Sequence, residues 1–81
     1  MSIRRKKYYV DEDFLKQVGN KIRHYRKVKK MTLEELAFEC HDVDYAHLNK
    51  IELGKVNFSI SYLKLIAEKL EVPVADLLNF D

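Results

Sequence analysis

The side chains of this 81-residue chain best suited to chemistry are Cys40, His41, His47 and His24. A thiol beside imidazoles can serve as nucleophile and base, or can hold a metal ion. Either use needs the groups to converge. Zinc sites usually show paired ligands at spacings such as C-x₂-C or H-x₃-H, a pattern missing here. Cys40 and His41 are adjacent, so on a helix they point about 100° apart. Cys40 reads more simply as a small core residue. Acids gather at 11–13 and 34–35, where helix starts favour negative charge and a structural role suffices. Gly19 and Gly54 are the only glycines, so there is no glycine-rich phosphate loop. Nothing here calls for catalysis, a metal or a cofactor, and no enzyme is expected.

One stretch suits recognition by surface instead. Thr32 to Gly54 reads as a short helix, a tight turn and a second short helix. Thr32 can cap the first, its hydroxyl accepting from the backbone N–H three residues on, and Glu35 can reach back to complete a capping box. Leu36, Ala37 and Cys40 then share a face. His41, Asp42 and Val43 break the pattern. Asp44 offers a second N-cap, and Leu48 and Ile51 make a new apolar stripe that ends at Gly54. Helices of eight or nine residues are too short to stand alone. Flanking helices must clamp them, which leaves the second free to touch a partner.

The elements that must do the clamping follow from periodicity. A first helix is expected from about Asp13 to Lys29, with acids at its start, lysines at its end and Phe14, Leu15, Val18, Ile22 and Tyr25 as its core stripe. Gly19 inside it costs up to ~1 kcal/mol against Ala and suggests a close helix contact. Ser59 should cap a fourth helix, Ile60 to Leu70, with Leu63, Ile66, Ala67 and Leu70 inward. Pro73 suits the first turn of a fifth, Val74 to Asn79. The expectation is an all-α fold of five helices: residues 1–12 a basic, flexible arm, 13–81 one helix-turn-helix domain.

The totals agree. The chain is 47% apolar and 35% charged, as in a folded soluble domain. No apolar run approaches the roughly 20 residues of a membrane span, and no apolar segment follows the basic N-terminus as in a signal peptide. A single cysteine fits a reducing cytoplasm. Residues 1–30 hold eleven Lys and Arg against three acids, a net of +8, whereas 31–81 hold four Lys against ten acids, a net of −6. Such asymmetry suggests a polyanionic partner or a solvated basic arm.

Taken in order, Arg26, Met31-Thr32, Glu34-Glu35-Leu36-Ala37, Ile51-Glu52, Gly54, Ser59-Ile60 and Leu65-Ile66-Ala67 resemble the Xre/Cro/CI family of bacterial and phage repressors. The resemblance covers about residues 17 to 79. The chain is also similar to the small single-domain controller proteins of restriction–modification systems. The fold implied is the lambda-repressor-like five-helix DNA-binding domain, and the partner implied is double-stranded DNA.

In that family the second helix of the pair lies in the major groove. Carried onto this sequence, the resemblance assigns base contacts to Asp44, Tyr45, Ala46, His47, Asn49 and Lys50. Asn49 suits adenine, Lys50 guanine or a phosphate, and Ala46 a thymine methyl. Phosphate contacts fall to Lys30, Thr32 and the amide of Leu33 at one helix start, and to Lys55 and Asn57 in the following loop. Arg26 and Glu52 take the positions of a salt bridge that ties the first helix to the recognition helix. Three features depart from the family: Leu33 stands where glutamine is usual, the turn is one residue longer at His41-Asp42, and the second helix has no arginine. The regulator so implied is a repressor, expected in the cytoplasm, with no small-molecule ligand evident. A homodimer on a near-palindromic operator is expected, with Leu77, Leu78 and Phe80 of the fifth helix at the dimer interface, because they exceed what one short terminal helix need bury against its own core. The rival is a protein-binding helix-turn-helix, such as an antitoxin or adaptor, which the acidic C-terminal half favours.

Overall fold

The computed structural model describes residues 8–41 and 44–81. Five helices follow one another: α1 (Glu12–Val28), α2 (Leu33–Glu39), α3 (Tyr45–Glu52), α4 (Ile60–Leu70) and α5 (Val74–Leu77). No strand occurs among the described residues. Asp42, Val43 and the first seven residues lie outside the description, and with them the expected turn and most of the expected arm.

The first four helices start where a short polar side chain takes up a free backbone N–H. Asp11 accepts from Phe14 at 3.0 Å, so α1 begins one residue earlier than its periodicity suggested. Thr32 and Glu35 form the reciprocal capping box, with bonds of 2.7 and 3.0 Å. Asp44 accepts from Ala46, and Ser59 from Tyr62. Pro73 precedes α5 and supplies no side-chain cap. The fifth helix is a single turn, ending at Leu77 where Asn79 was expected; the Leu78 N–H already bonds back to Ala75.

Packing then decides which stripe faces inward. Val18, Ile22, Leu36, Ala37, Cys40, Leu48, Ile51, Leu63, Ile66, Ala67, Leu70 and Leu77 make one continuous core. Phe14, expected within it, is 43% exposed and meets Phe80 edge to face at 5.5 Å. Leu77 is fully enclosed, which corrects its assignment to a dimer interface: its side chain has no surface to offer a second copy. Leu78, by contrast, is 40% exposed.

At two glycines α1 and the end of α3 approach backbone to backbone. A Cβ built on Gly19 would lie 2.4 Å from the Glu52 carbonyl oxygen and 2.6 Å from that of Ile51. Gly54, at φ +73°, ends α3 in the left-handed conformation, and a Cβ there would strike Lys16 Cα at 2.6 Å. The obstacles are backbone atoms, which cannot rotate aside. Gly19→Ala should therefore push α3 off α1 and lower stability by about 1–3 kcal/mol despite alanine's better helix propensity. Urea unfolding checks this; an unchanged or raised midpoint would contradict it.

Candidate nucleic-acid interface

Seating α3 against α1 leaves one of its faces in water. Leu48, Ile51 and Glu52 are buried, whereas Asp44, Tyr45, Ala46, Asn49 and Lys50 are exposed and His47 is half-buried. The exposed set offers an amide, an ammonium, a phenol and a methyl within two helical turns. Asp44 is already engaged as the cap of its own helix.

The buried end of α3 is fixed by charge. Glu52 is only 7% exposed, and a carboxylate so placed needs a cation. Arg26 supplies it in a fork: Nε donates to Oε2 at 2.7 Å and Nη2 to Oε1 at 3.0 Å. Its remaining nitrogen, Nη1, donates to the Met31 carbonyl at 2.9 Å. One guanidinium thus joins α1, the α1–α2 link and α3. The bond with Glu52 raises the Arg26 pKa further above its ordinary value, and burial opposes that less strongly.

The flanking loops present the other polar groups. After α3 the chain alternates: Val56 and Phe58 pack against the core, so Lys55 and Asn57 between them are exposed. Asn57 Nδ2 also donates to the Tyr9 carbonyl at 3.1 Å, pinning the residues before α1 to this loop. On the other side, Lys30 is exposed at φ 61°, and Thr32 is exposed with its oxygen taken by the cap. Leu33 rests its side chain on the core, which leaves only its backbone for an anion. Of the five residues named from the resemblance as phosphate contacts, Lys30, Thr32 and Leu33 thus stand at the start of α2, and Lys55 and Asn57 in the loop after α3.

The cysteine and two of the histidines are placed among packing partners. Cys40 is fully buried, and burial pushes its thiol above the ordinary value, away from the reactive thiolate. His24 packs edge-on against Tyr25, and His47 stacks on Tyr62. Among the described residues no group of three or more His, Cys, Asp or Glu is placed to hold a metal.

This arrangement can be set beside known proteins. The helix-turn-helix family HTH_3 matches residues 22–77, which spans α2, the turn, α3 and α4. The chain belongs to the HTH_3 helix-turn-helix family. Its fold is likewise that of solved regulatory proteins. The clp gene regulator ClgR from C. glutamicum is 31% identical, with a TM-score of 0.77 over 80% of this chain and 82% of that one. The restriction–modification controller protein C.AhdI from Aeromonas hydrophila is 27% identical, with a TM-score of 0.74 over 78% of this chain and 94% of the other. A hypothetical transcription factor from Neisseria, NHTF, is 25% identical, with a TM-score of 0.77 over 91% and 85%. A comparison with curated proteins finds no match. These neighbours are described as a gene regulator, a controller protein and a transcription factor. Among the described residues no helix is long and apolar enough to cross a membrane.

Two predictions follow from this HTH_3 site. Arg26→Ala would leave the Glu52 carboxylate buried and unpaired and the Met31 carbonyl without its donor. It should cost about 3–5 kcal/mol by thermal or urea unfolding, and a loss under 1 kcal/mol would refute the assigned role. The second concerns Tyr62, whose hydroxyl is enclosed without a partner. Burial raises its pKa above the ordinary phenol value of 10.0. The unfolded chain therefore ionises first, so this contribution to stability is intact below about pH 10 and falls away above it. Tyr62→Phe should abolish that part of the alkaline loss, measured as unfolding free energy between pH 9 and 11 (a window of roughly one unit either side of the phenol value).

Proposed function

We propose that this chain is a sequence-specific, double-stranded-DNA-binding transcriptional regulator, acting as a homodimeric repressor in the cytoplasm on a near-palindromic operator. The observation that carries the reading is the two-sidedness of α3: an apolar and ion-paired face clamped to α1, and a polar face standing in water. In this reading Asn49, Lys50, Ala46, Tyr45 and His47 meet base edges. Asp44 is confined to a cytosine amino group or to its capping role. Lys30, Lys55, the Thr32 hydroxyl hydrogen, the Leu33 amide and the second amide hydrogen of Asn57 meet phosphates.

A groove between the starts of α1 and α4 and the end of α5 supports the dimer. It has a volume of about 410 Å³ and is lined by Phe14, Leu15, Val18, Ile60, Leu63 and Leu78, among others. Ile60 is 80% exposed and belongs to this contiguous apolar lining, the kind of patch that marks an interaction site. We place the interface there, with Leu78 and the flanking Phe80 contributing and Leu77 behind them in the core. A two-fold pair would set its two α3 helices about 34 Å apart, one turn of B-DNA.

Selection of bound duplexes from a random pool tests this. Enrichment of an inverted repeat with half-sites about 10 base pairs apart is expected. On the selected duplex, two copies each placing Lys30 and Lys55 on phosphates should give a slope of log K against log salt of roughly −4. Leu78→Asp should reduce binding to that of a half-site. A pool with no enriched sequence, together with salt-independent association, would transfer the chain to the protein-binding class.

A further inference from the structure

His47 is the third residue of α3 and, unlike Tyr45 and Ala46 before it and Asn49 after it, is half-buried. Its ring lies over that of Tyr62 in α4, with centroids 5.9 Å apart and planes inclined by 28°. Tyr62 is backed in turn by Phe58, edge to face at 6.4 Å and 89°. Phe58 packs on the core, and the Tyr62 hydroxyl is enclosed, so the inner rings of this ladder cannot swing into solvent. The imidazole at its outer end borders an open cleft that Asn57 and Ser59 also line.

An unsupported histidine on a helix surface samples several χ1 and χ2 settings. A stacked aromatic partner favours one of them by roughly 2- to 10-fold. Filling the core does not explain the arrangement, because an aliphatic side chain at position 62 would fill space without offering His47 a ring face.

The geometry points to Tyr62 as a positioning residue for DNA readout: through the stack it fixes the direction in which His47 meets its base pair. A residue of α4 then governs sequence preference at one operator position without touching DNA. This rests on the DNA-binding reading above and adds to it a second-layer determinant of specificity.

The test uses the full chain with Tyr62→Leu, Tyr62→Phe, His47→Ala and the Tyr62→Leu/His47→Ala double variant. Each is measured on the duplex selected by the parent protein and on its single-base-pair variants. Tyr62→Leu should lower discrimination at one base pair by roughly 2- to 10-fold, with the other positions and the salt slope unchanged. Tyr62→Phe, which keeps the ring, should restore it. In the His47→Ala background Tyr62→Leu should change nothing further. Without DNA, the His47 ring protons should show an upfield ring-current shift in the parent and in Tyr62→Phe that disappears in Tyr62→Leu. Uniform weakening on every duplex, full additivity with His47→Ala, or ring shifts indifferent to residue 62 would overturn the assignment. A parent that enriches no duplex would overturn the DNA-binding reading and the specificity role with it. The ring-proton shifts would still report separately whether Tyr62 orients His47.

Discussion

The fold turns on one guanidinium and one carboxylate. Glu52 is on the inward side of α3, where an unpaired charge would be untenable, and Arg26 reaches it from α1 with two nitrogens on two oxygens. A buried pair of this kind sets one geometry more than it adds net stability. Because the fork is planar and bidentate, sliding or rolling α3 by even part of a turn breaks both bonds. The third bond, to the Met31 carbonyl, extends the same constraint to the link that starts α2. Arg26 therefore fixes both helices of the pair relative to α1. Gly19 and Gly54 make the approach possible by removing the side chains that would hold the backbones apart.

From that clamp the polar surface follows. With Glu52, Ile51 and Leu48 turned inward, helical geometry leaves Asn49, Lys50, Tyr45 and Ala46 outside. The loop after α3 obeys a different period to the same end, burying Val56 and Phe58 and presenting Lys55 and Asn57. A 3.6-residue repeat and a two-residue repeat thus combine to build one surface. Neither the helix nor the loop is long enough to hold its shape unaided.

How much of this the sequence discloses depends on the reach of each interaction. The caps at Thr32, Asp44 and Ser59 could be read directly, because each joins residues two or three apart and needs only a side-chain oxygen in the right place. The core stripes of α2, α3 and α4 were equally legible from periodicity. The Arg26–Glu52 pair spans 26 positions and was visible only through resemblance to relatives; its bond to Met31 was not visible at all. Periodicity also misjudged Phe14 and Leu77. Phe14 shares a stripe with Val18 but lines a groove open to solvent, with Phe80 against its ring. Leu77 belongs to a helix of one turn, too short for its pattern to tell its own core from a partner's surface. The contacts from Asn57 to Tyr9 and from His47 to Tyr62 join segments that only tertiary packing brings together, and no local signal announces them.

The contact at Gly19 has a longer-term consequence. What touches α1 there is the peptide backbone of α3, the carbonyls of Ile51 and Glu52, not the side chains that vary on its outer surface. The mounting is indifferent to what is displayed. Tyr45, Ala46, Asn49 and Lys50 stand outside the hydrophobic interior, so under the proposed function exchanges there would retarget the protein without disturbing its scaffold.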